Sequence, residues 1–367
     1  MRVEGVTPAA TGVTGDAMAD RQEAFYRGLA DEHLVPLWSE IGDLMPAQPA
    51  SRAVPHRWQW SNMLALAETA GELVPLGRGG ERRAIALANP GLGGRPFATT
   101  TLWAAIQYLR PAEHAPVHRH SQNAFRFVVE GEGVWTVVNG DAVAMRRGDF
   151  LPQPAWNWHG HVNQSVAPMA WLDGLDIPVQ SWLESTFFEV GPENVESDGL
   201  AARSRSEHLW ANPGLRPLSQ LGPTPATPLL AYRWEHTNRA LEAQLALEAD
   251  PGHAAVRYVN PANGDDVLPT IRADFHRFAP GAVSATRREV GSSVYQVFDG
   301  TAEVRVGDEM WTVARGDLFV VPSWQPLTVA CEGDGVDLFR FSDAPILERL
   351  GQYRVEVTAK GFAPATL

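Results

Sequence analysis

After Leu73 the apolar positions come in short runs, at 82–88, 100–109, 124–129, 133–138, 149–151 and 169–172, separated by Gly, Pro or Asn turns. Runs of that length with such punctuation predict strands, and many short strands at regular spacing predict a sandwich or a closed barrel. Ahead of them the period changes. Phe25 and Leu29 lie four apart in a stretch of helix formers over 20–30, Leu37 and Ile41 repeat that spacing over 34–41 despite Pro36, and Ser61 can cap a helix that Gly71 ends. Residues 1–16 are small and polar and read as a terminal tail.

From Thr270 the strand pattern returns. Arg315-Gly316-Asp317 matches Arg147-Gly148-Asp149 at an offset of 168 residues, Phe298-Asp299-Gly300 stands for Val129-Glu130-Gly131, and Val321-Pro322-Ser323-Trp324 stands for Gln153-Pro154-Ala155-Trp156. An internal duplication predicts an all-β chain with two barrels. The expected organisation is a tail and helical arm over 1–75, a first barrel over 76–196, a connector over 197–265 and a second barrel over 266–367. Within the connector, Leu241 and Leu245 mark a helix over 234–247.

Composition narrows the function classes. Of 367 residues, 43 are acidic and 30 basic, a formal charge of −13 that argues against a nucleic-acid surface. Cys331 is the single cysteine, which excludes a disulfide within the chain and thiolate metal clusters. No run approaches the roughly 18 apolar residues of a membrane span, and the first residues lack a signal-peptide core, so a cytoplasmic protein without a membrane partner is expected.

The densest chemistry lies between Pro116 and Asn163. His118 and His120 are one residue apart, and on a strand such a pair points to one face. His159, after the Gly148-Asp149 turn, can return on a neighbouring strand and complete a three-nitrogen metal site. Imidazole suits iron, copper, zinc or nickel better than magnesium or calcium. In the repeat, Arg287, Glu289 and Leu327 stand where His118, His120 and His159 stand, so the second barrel is expected to hold no metal. His33, His56, His114, His208, His236, His253 and His276 lack a same-face partner at ligand spacing and read as structural.

These residues resemble a known superfamily. His118, His120, Ala124 and Gly131, followed by Gly148, His159 and Asn163, look like the two cupin motifs, with Ala124 where most metal-binding cupins carry a glutamate. Longer blocks, among them Trp103-Ala104-Ala105-Ile106-Gln107-Tyr108, Trp171-Leu172-Asp173-Gly174-Leu175-Asp176 and Phe339-Arg340-Phe341-Ser342-Asp343, resemble the bicupin ring-cleaving dioxygenases, that is, the gentisate 1,2-dioxygenase family with its salicylate and 1-hydroxy-2-naphthoate relatives. The resemblance implies two jelly-roll-like barrels and Fe(II) held by His118, His120 and His159. It further implies that O2 is the co-substrate and that gentisate, bound through its carboxylate and 2-hydroxyl, opens between C1 and C2 to maleylpyruvate. A homotetramer is implied as well.

Strand alternation proposes the rest of the site. With His118 and His120 inward and the register kept, Ala124, Arg126 and Val128 face in while Phe125, Phe127 and Val129 face out. An inward arginine needs an anion, so Arg126 is the expected clamp for a substrate carboxylate. His161 follows His159 inward, to bind the substrate or to help in proton transfer. Asp173 is expected to orient a histidine from behind. Trp103, Ala105 and Gln107 share one strand face and are expected to wall the pocket, with Gln107 supporting a ligand histidine. The family pattern adds Arg78 and Arg82. The competing readings are another cupin enzyme, which would normally want the missing glutamate, and a metal-free binding protein, for which three histidines are superfluous.

Overall fold

The structure, a computed structural model, describes residues 15–76, 83–191, 199–247, 252–331 and 333–360. Arg78 and Arg82 lie outside the described residues, as does most of the tail. The chain forms two compact units, Met1–Ala50 and Ser51–Leu367.

The first unit carries α1 (Gly15–Asp31) and α2 (Leu37–Leu44). Helix α2 starts one residue after Pro36, which sits outside it in an extended conformation with φ −72°. That placement resolves the apparent conflict of a proline in a helical stripe, because the ring fixes φ and offers no N–H for the ladder. Trp38 stacks on Phe25 with centroids 6.4 Å apart and donates from Nε1 to the Tyr26 hydroxyl at 3.3 Å.

The second unit opens with β1 (His56–Trp58) and α3 (Trp60–Leu73), so the helix announced by Ser61 belongs to the body of the protein. Its first barrel is made of β2 (Ala84–Ala86), β3 (Trp103–Leu109), β4 (His114–His120), β5 (Ala124–Glu130), β6 (Glu132–Val138), β7 (Asp141–Arg146), β8 (Phe150–Gln153), β9 (His159–Asn163), β10 (Met169–Leu175) and β11 (Phe188–Val190). These form two five-stranded sheets, ordered β2-β3-β10-β5-β8 and β11-β4-β9-β6-β7. Strand β7 was not foreseen because Asp141–Arg146 mixes small and polar residues with only Val143 and Met145 as larger apolar side chains.

After α4 (Ile177–Trp182), α5 (Arg205–Trp210) and α6 (Trp234–Leu247), the second barrel follows as β12 (His253–Arg257), β13 (Arg272–Phe278), β14 (Ala285–Glu289), β15 (Ser293–Val306), β16 (Glu309–Ala314), β17 (Leu318–Val321), β18 (Leu327–Ala330) and β19 (Val336–Ser342). Helix α7 (Ala344–Arg349) and β20 (Val355–Lys360) close the described chain. Strand β15 runs unbroken through Gly300, where the first barrel divides into β5 and β6 at Gly131, and it joins both faces of the second barrel into one sheet. Strand β12 pairs along its whole length with β13, which extends this barrel into the stretch expected as connector.

The two barrels pack through the outward faces of β5 and β10 against those of β13 and β19. Phe125, Phe127, Val129 and Leu172 share one core with Phe275, Phe339 and Phe341, and Phe127 stacks on Phe339 at 4.1 Å with planes 6° apart. The outward phenylalanines therefore face the sister barrel, not solvent. The duplication also crosses over. Strand β1, ahead of the first barrel, pairs with β17 of the second, and Tyr232, ahead of the second barrel, bridges Phe150 in the first. Trp60 N–H donates to Asp317 Oδ1 at 2.9 Å, and Trp234 N–H donates to Asp149 Oδ1 at 3.0 Å. Each helix is thus capped by the aspartate of the other barrel's Arg-Gly-Asp turn. The turn glycines fit this seat: Gly148 and Gly316 have φ of +86° and +89°, and a Cβ there would lie 2.8 Å from Trp234 and 2.2 Å from Trp60. Among the described residues no helix is long and apolar enough to cross a membrane.

Candidate metal centre

The antiparallel register sets the first barrel's inner face, since residues directly opposite share a face. Across one sheet, Ala105, Asp173, Arg126 and Leu151 form one row, and Gln107, Trp171 and Val128 form the next. Across the other sheet, His118 lies opposite His159, and Val138 continues that row. His161 lies opposite Thr136. A register shift in β4 between Ala115 and His118 lets strands of unequal phase bring both His118 and His161 to the cavity.

His118, His120 and His159 each present a ligand atom, and these atoms lie within 4.8 Å of one another. Each Nδ1 is held by a backbone carbonyl, Pro116 O at 3.1 Å, Gln122 O at 3.0 Å and Asn157 O at 2.9 Å. A carbonyl only accepts, so the proton sits on Nδ1 and the lone pair on Nε2, the tautomer a metal ion needs. Three neutral, buried imidazoles with their orientation fixed from behind fit a divalent transition metal.

Arg126 is 2% exposed, and its Nε–H donates to His161 Nε2 at 3.1 Å. Asp173 stands 3.7 Å from the same Nε, and Asp173 Oδ1 accepts from Trp171 Nε1 at 3.0 Å. Burial lowers the guanidinium's pKa, and Asp173 offsets this in part. Arg126 Nη1 is buried without a hydrogen-bond partner. A buried cation whose ion pair is stretched and whose donor is unused is costly unless an anion meets it. Asp173 thus contacts both Arg126 and Trp171.

Gln107 does not support a ligand histidine. Its Nε2 and Oε1 are both buried with no hydrogen-bond partner, because the carbonyls of Pro116, Gln122 and Asn157 already take that role. Its amide is instead a buried donor and acceptor without partners. Ala105 is fully buried and Trp103 partly so, on the same face. Two further polar groups carry no motif in the sequence. Thr136 Oγ1 and Gln153 Oε1 are also buried and unpartnered. Thr136 alternates with Val134 and Val138 along β6, and a hydroxyl in that row was the available signal.

A sequence profile described as the cupin domain matches residues 105–175 and 274–339, the two barrels. A gentisate 1,2-dioxygenase of Streptomyces sp is 55% identical over 339 residues, covering 90% of this chain and 94% of that protein. A 1-hydroxy-2-naphthoate 1,2-dioxygenase of Nocardioides sp. (strain KP7) is 34% identical, covering 93% of this chain and 89% of its own. The crystal structure of salicylate 1,2-dioxygenase from Pseudoaminobacter salicylatoxidans with gentisate superposes with a TM-score of 0.90 at 54% identity, covering 96% of this chain and 97% of that one. The paired cupin domains, the histidine trio and this likeness along nearly the whole chain make the protein a bicupin ring-cleaving dioxygenase, and the chain belongs to the gentisate 1,2-dioxygenase family.

Proposed function

We propose that the enzyme uses Fe(II) and O2 to open gentisate between C1 and C2, giving maleylpyruvate. The observation that carries this reading is the Arg126 guanidinium, buried in the barrel that holds the histidine trio and left with an unpartnered Nη1. An aromatic acid whose carboxylate meets that group completes a buried ion pair. When bound, ferrous iron supplies a chelation point for the carboxylate and 2-hydroxyl oxygens and activates O2.

The chain's own residues bind and orient. His118, His120 and His159 contribute no net charge, so the cation keeps its full attraction for a chelating anion. Arg126 fixes the carboxylate and hence the ring's rotation about the C1 substituent axis. Because His161 Nε2 accepts from Arg126, its proton sits on Nδ1, where it can be given to a substrate oxygen or taken back during the reaction. Trp103 and Ala105 wall the ring, and the Gln107, Thr136 and Gln153 side chains offer partners for ring hydroxyls or for ordered water. Arg78 and Arg82 are further candidates for substrate contacts. We also expect a cytoplasmic protein that assembles as a homotetramer, and sedimentation of the purified enzyme tests the assembly.

The test is aerobic incubation of the iron-loaded protein with gentisate, following oxygen uptake and the absorbance of the ring-opened enol. One O2 consumed per gentisate, with the mass of maleylpyruvate in the product, is the expected result. No uptake with iron bound refutes the reading. A second reading, salicylate as substrate, is favoured by the 54% identity to salicylate 1,2-dioxygenase. Discrimination by a single ring substituent can be as small as about 1–3 kcal/mol. Comparing kcat/KM for gentisate, salicylate and 1-hydroxy-2-naphthoate on one preparation decides between them.

A further inference from the structure

The second barrel keeps a cavity of about 1100 Å³, lined by Arg287, His276, Phe278, Tyr295, Leu338 and Arg340 among others. Its residues occupy the positions of the first barrel's site. Arg287 lies opposite Leu327 as His118 lies opposite His159, and Tyr295 lies opposite Arg340 as Arg126 lies opposite Asp173. His276 lies opposite Leu338 as Gln107 lies opposite Trp171. A guanidinium therefore stands where the first barrel has a metal ligand.

The polar groups of this cavity are not satisfied by one another. Arg340 is fully engaged, with Nη1 on Asp274 at 2.8 Å, Nε on Ser293 at 3.0 Å and Nη2 on Glu289. Arg287, a half-exposed side chain, uses only Nη2 among the described residues, toward Glu289 at 3.0 Å and the Tyr353 hydroxyl at 3.4 Å, so Nε and Nη1 are open to solvent or a ligand. Tyr295 is 7% exposed, and its hydroxyl has no hydrogen-bond partner among the described residues. His276 Nδ1 is 3.1 Å from His253 Nε2, a pairing across β12 and β13 that the sequence did not reveal, and His276 Nε2 is buried and unpartnered. Burial, more than the neighbouring arginines, holds the His276 imidazole neutral. Arg257, Arg287 and Arg340 line the cavity with Asp274 as the one carboxylate among the lining residues, and Glu289 bonds Arg287 and Arg340. Phe278 lies nearly parallel to His253 and His276, at 9° and 12°, and makes a flat wall.

We propose that the second barrel is a non-catalytic binding site for a small aromatic monocarboxylate, with the carboxylate on Arg287 and the ring between the Phe278–His276 wall and the Tyr295 hydroxyl. A carboxylate matches the arginine-rich lining, a planar ring matches the wall, and the three open polar groups set where oxygens must lie. Without three imidazoles at this end the bound molecule is held and not oxidised. The site stands independently of the reaction assigned to the first barrel.

The test is calorimetric titration of the full-length, metal-loaded protein with 4-fluorobenzoate, which lacks the ortho-hydroxyl needed to chelate. In Arg126→Ala one saturable site per chain should remain. Arg287→Ala should raise its Kd roughly tenfold or more, and Tyr295→Phe by about threefold or more, on the scale expected for a charged and a neutral hydrogen bond. Unchanged affinity in Arg287→Ala, or loss of all binding in Arg126→Ala, overturns the proposal. A crystal soaked with 4-iodobenzoate gives a second measurement that needs no variant. An anomalous peak inside the second barrel, at the end of the ring away from Arg287, supports the site, and its absence from the second barrel overturns it.

Discussion

Thr270 Oγ1 donates a hydrogen bond to Asp176 Oδ2 at 2.6 Å, and at the equivalent place in the repeat Thr101 Oγ1 donates to Asp343 Oδ2. Each carboxylate that closes one barrel is held by a hydroxyl from the other. Asp343 also accepts from Ser292 N–H at 2.9 Å, yet burial outweighs these bonds and pushes its carboxyl up to about 6 from an ordinary 3.8. The folded chain then binds that proton more tightly than the unfolded chain. The contribution to stability is fully present below about pH 3.8 and is lost as pH rises through about 6. Asp343→Asn should therefore match the parent near pH 4 and exceed it at pH 7.5 by on the order of 2–3 kcal/mol. Denaturant midpoints at both pH values check this, and a difference that does not grow with pH refutes it.

Gly316 sets a second expectation. A methyl group there would meet Trp60, on a backbone that already has φ +89°. Gly316→Ala should cost about 2–4 kcal/mol, from left-handed strain together with displacement of a buried indole. Thermal melting measures it. A loss under 1 kcal/mol would mean that the start of α3 can shift without consequence.

Charge alone should not replace Arg126. Lysine keeps the cation but loses the planar fork and the Nε donation to His161. Arg126→Lys should raise KM for the aromatic acid roughly 10- to 100-fold, with iron per chain unchanged. Steady-state kinetics with metal analysis on the same sample decides it, and an unaltered KM removes Arg126 from substrate binding.

Metal removal should be reversible. The three Nδ1 groups are anchored to backbone carbonyls, so the imidazoles keep their aim without a cation. Dialysis against a chelator should abolish oxygen uptake and lower the melting temperature by only a few degrees, as expected for loss of a ligand bound to a formed site. Ferrous iron should restore activity without refolding. Loss of the far-ultraviolet circular dichroism on chelation would show that the metal organises the barrel.

Much of this arrangement was legible in the chain. His118, His120 and His159 were marked by a one-residue spacing and a later return strand, and Arg126 by parity alone. The Arg-Gly-Asp repeat disclosed both barrels. Other features depend on partners distant in sequence. That Gln107 is left without a bond follows from which carbonyls reach the histidines, and that Asp173 serves Arg126 follows from a three-strand register. The crossed caps of Trp60 and Trp234 join residues 257 and 85 positions apart, and no local pattern encodes either pairing.

Those caps bear on why the second barrel persists at all. Helix α3 is seated at one end on Asp317, while at its other end the Gly71 carbonyl accepts from Arg83 and Arg110 of the first barrel, each at 2.9 Å. It spans the duplication like a tie rod. The copy without imidazoles at those positions is not dispensable, because it braces the wall against which the working copy is built. Damage there should surface as misaligned chemistry in a pocket it never touches.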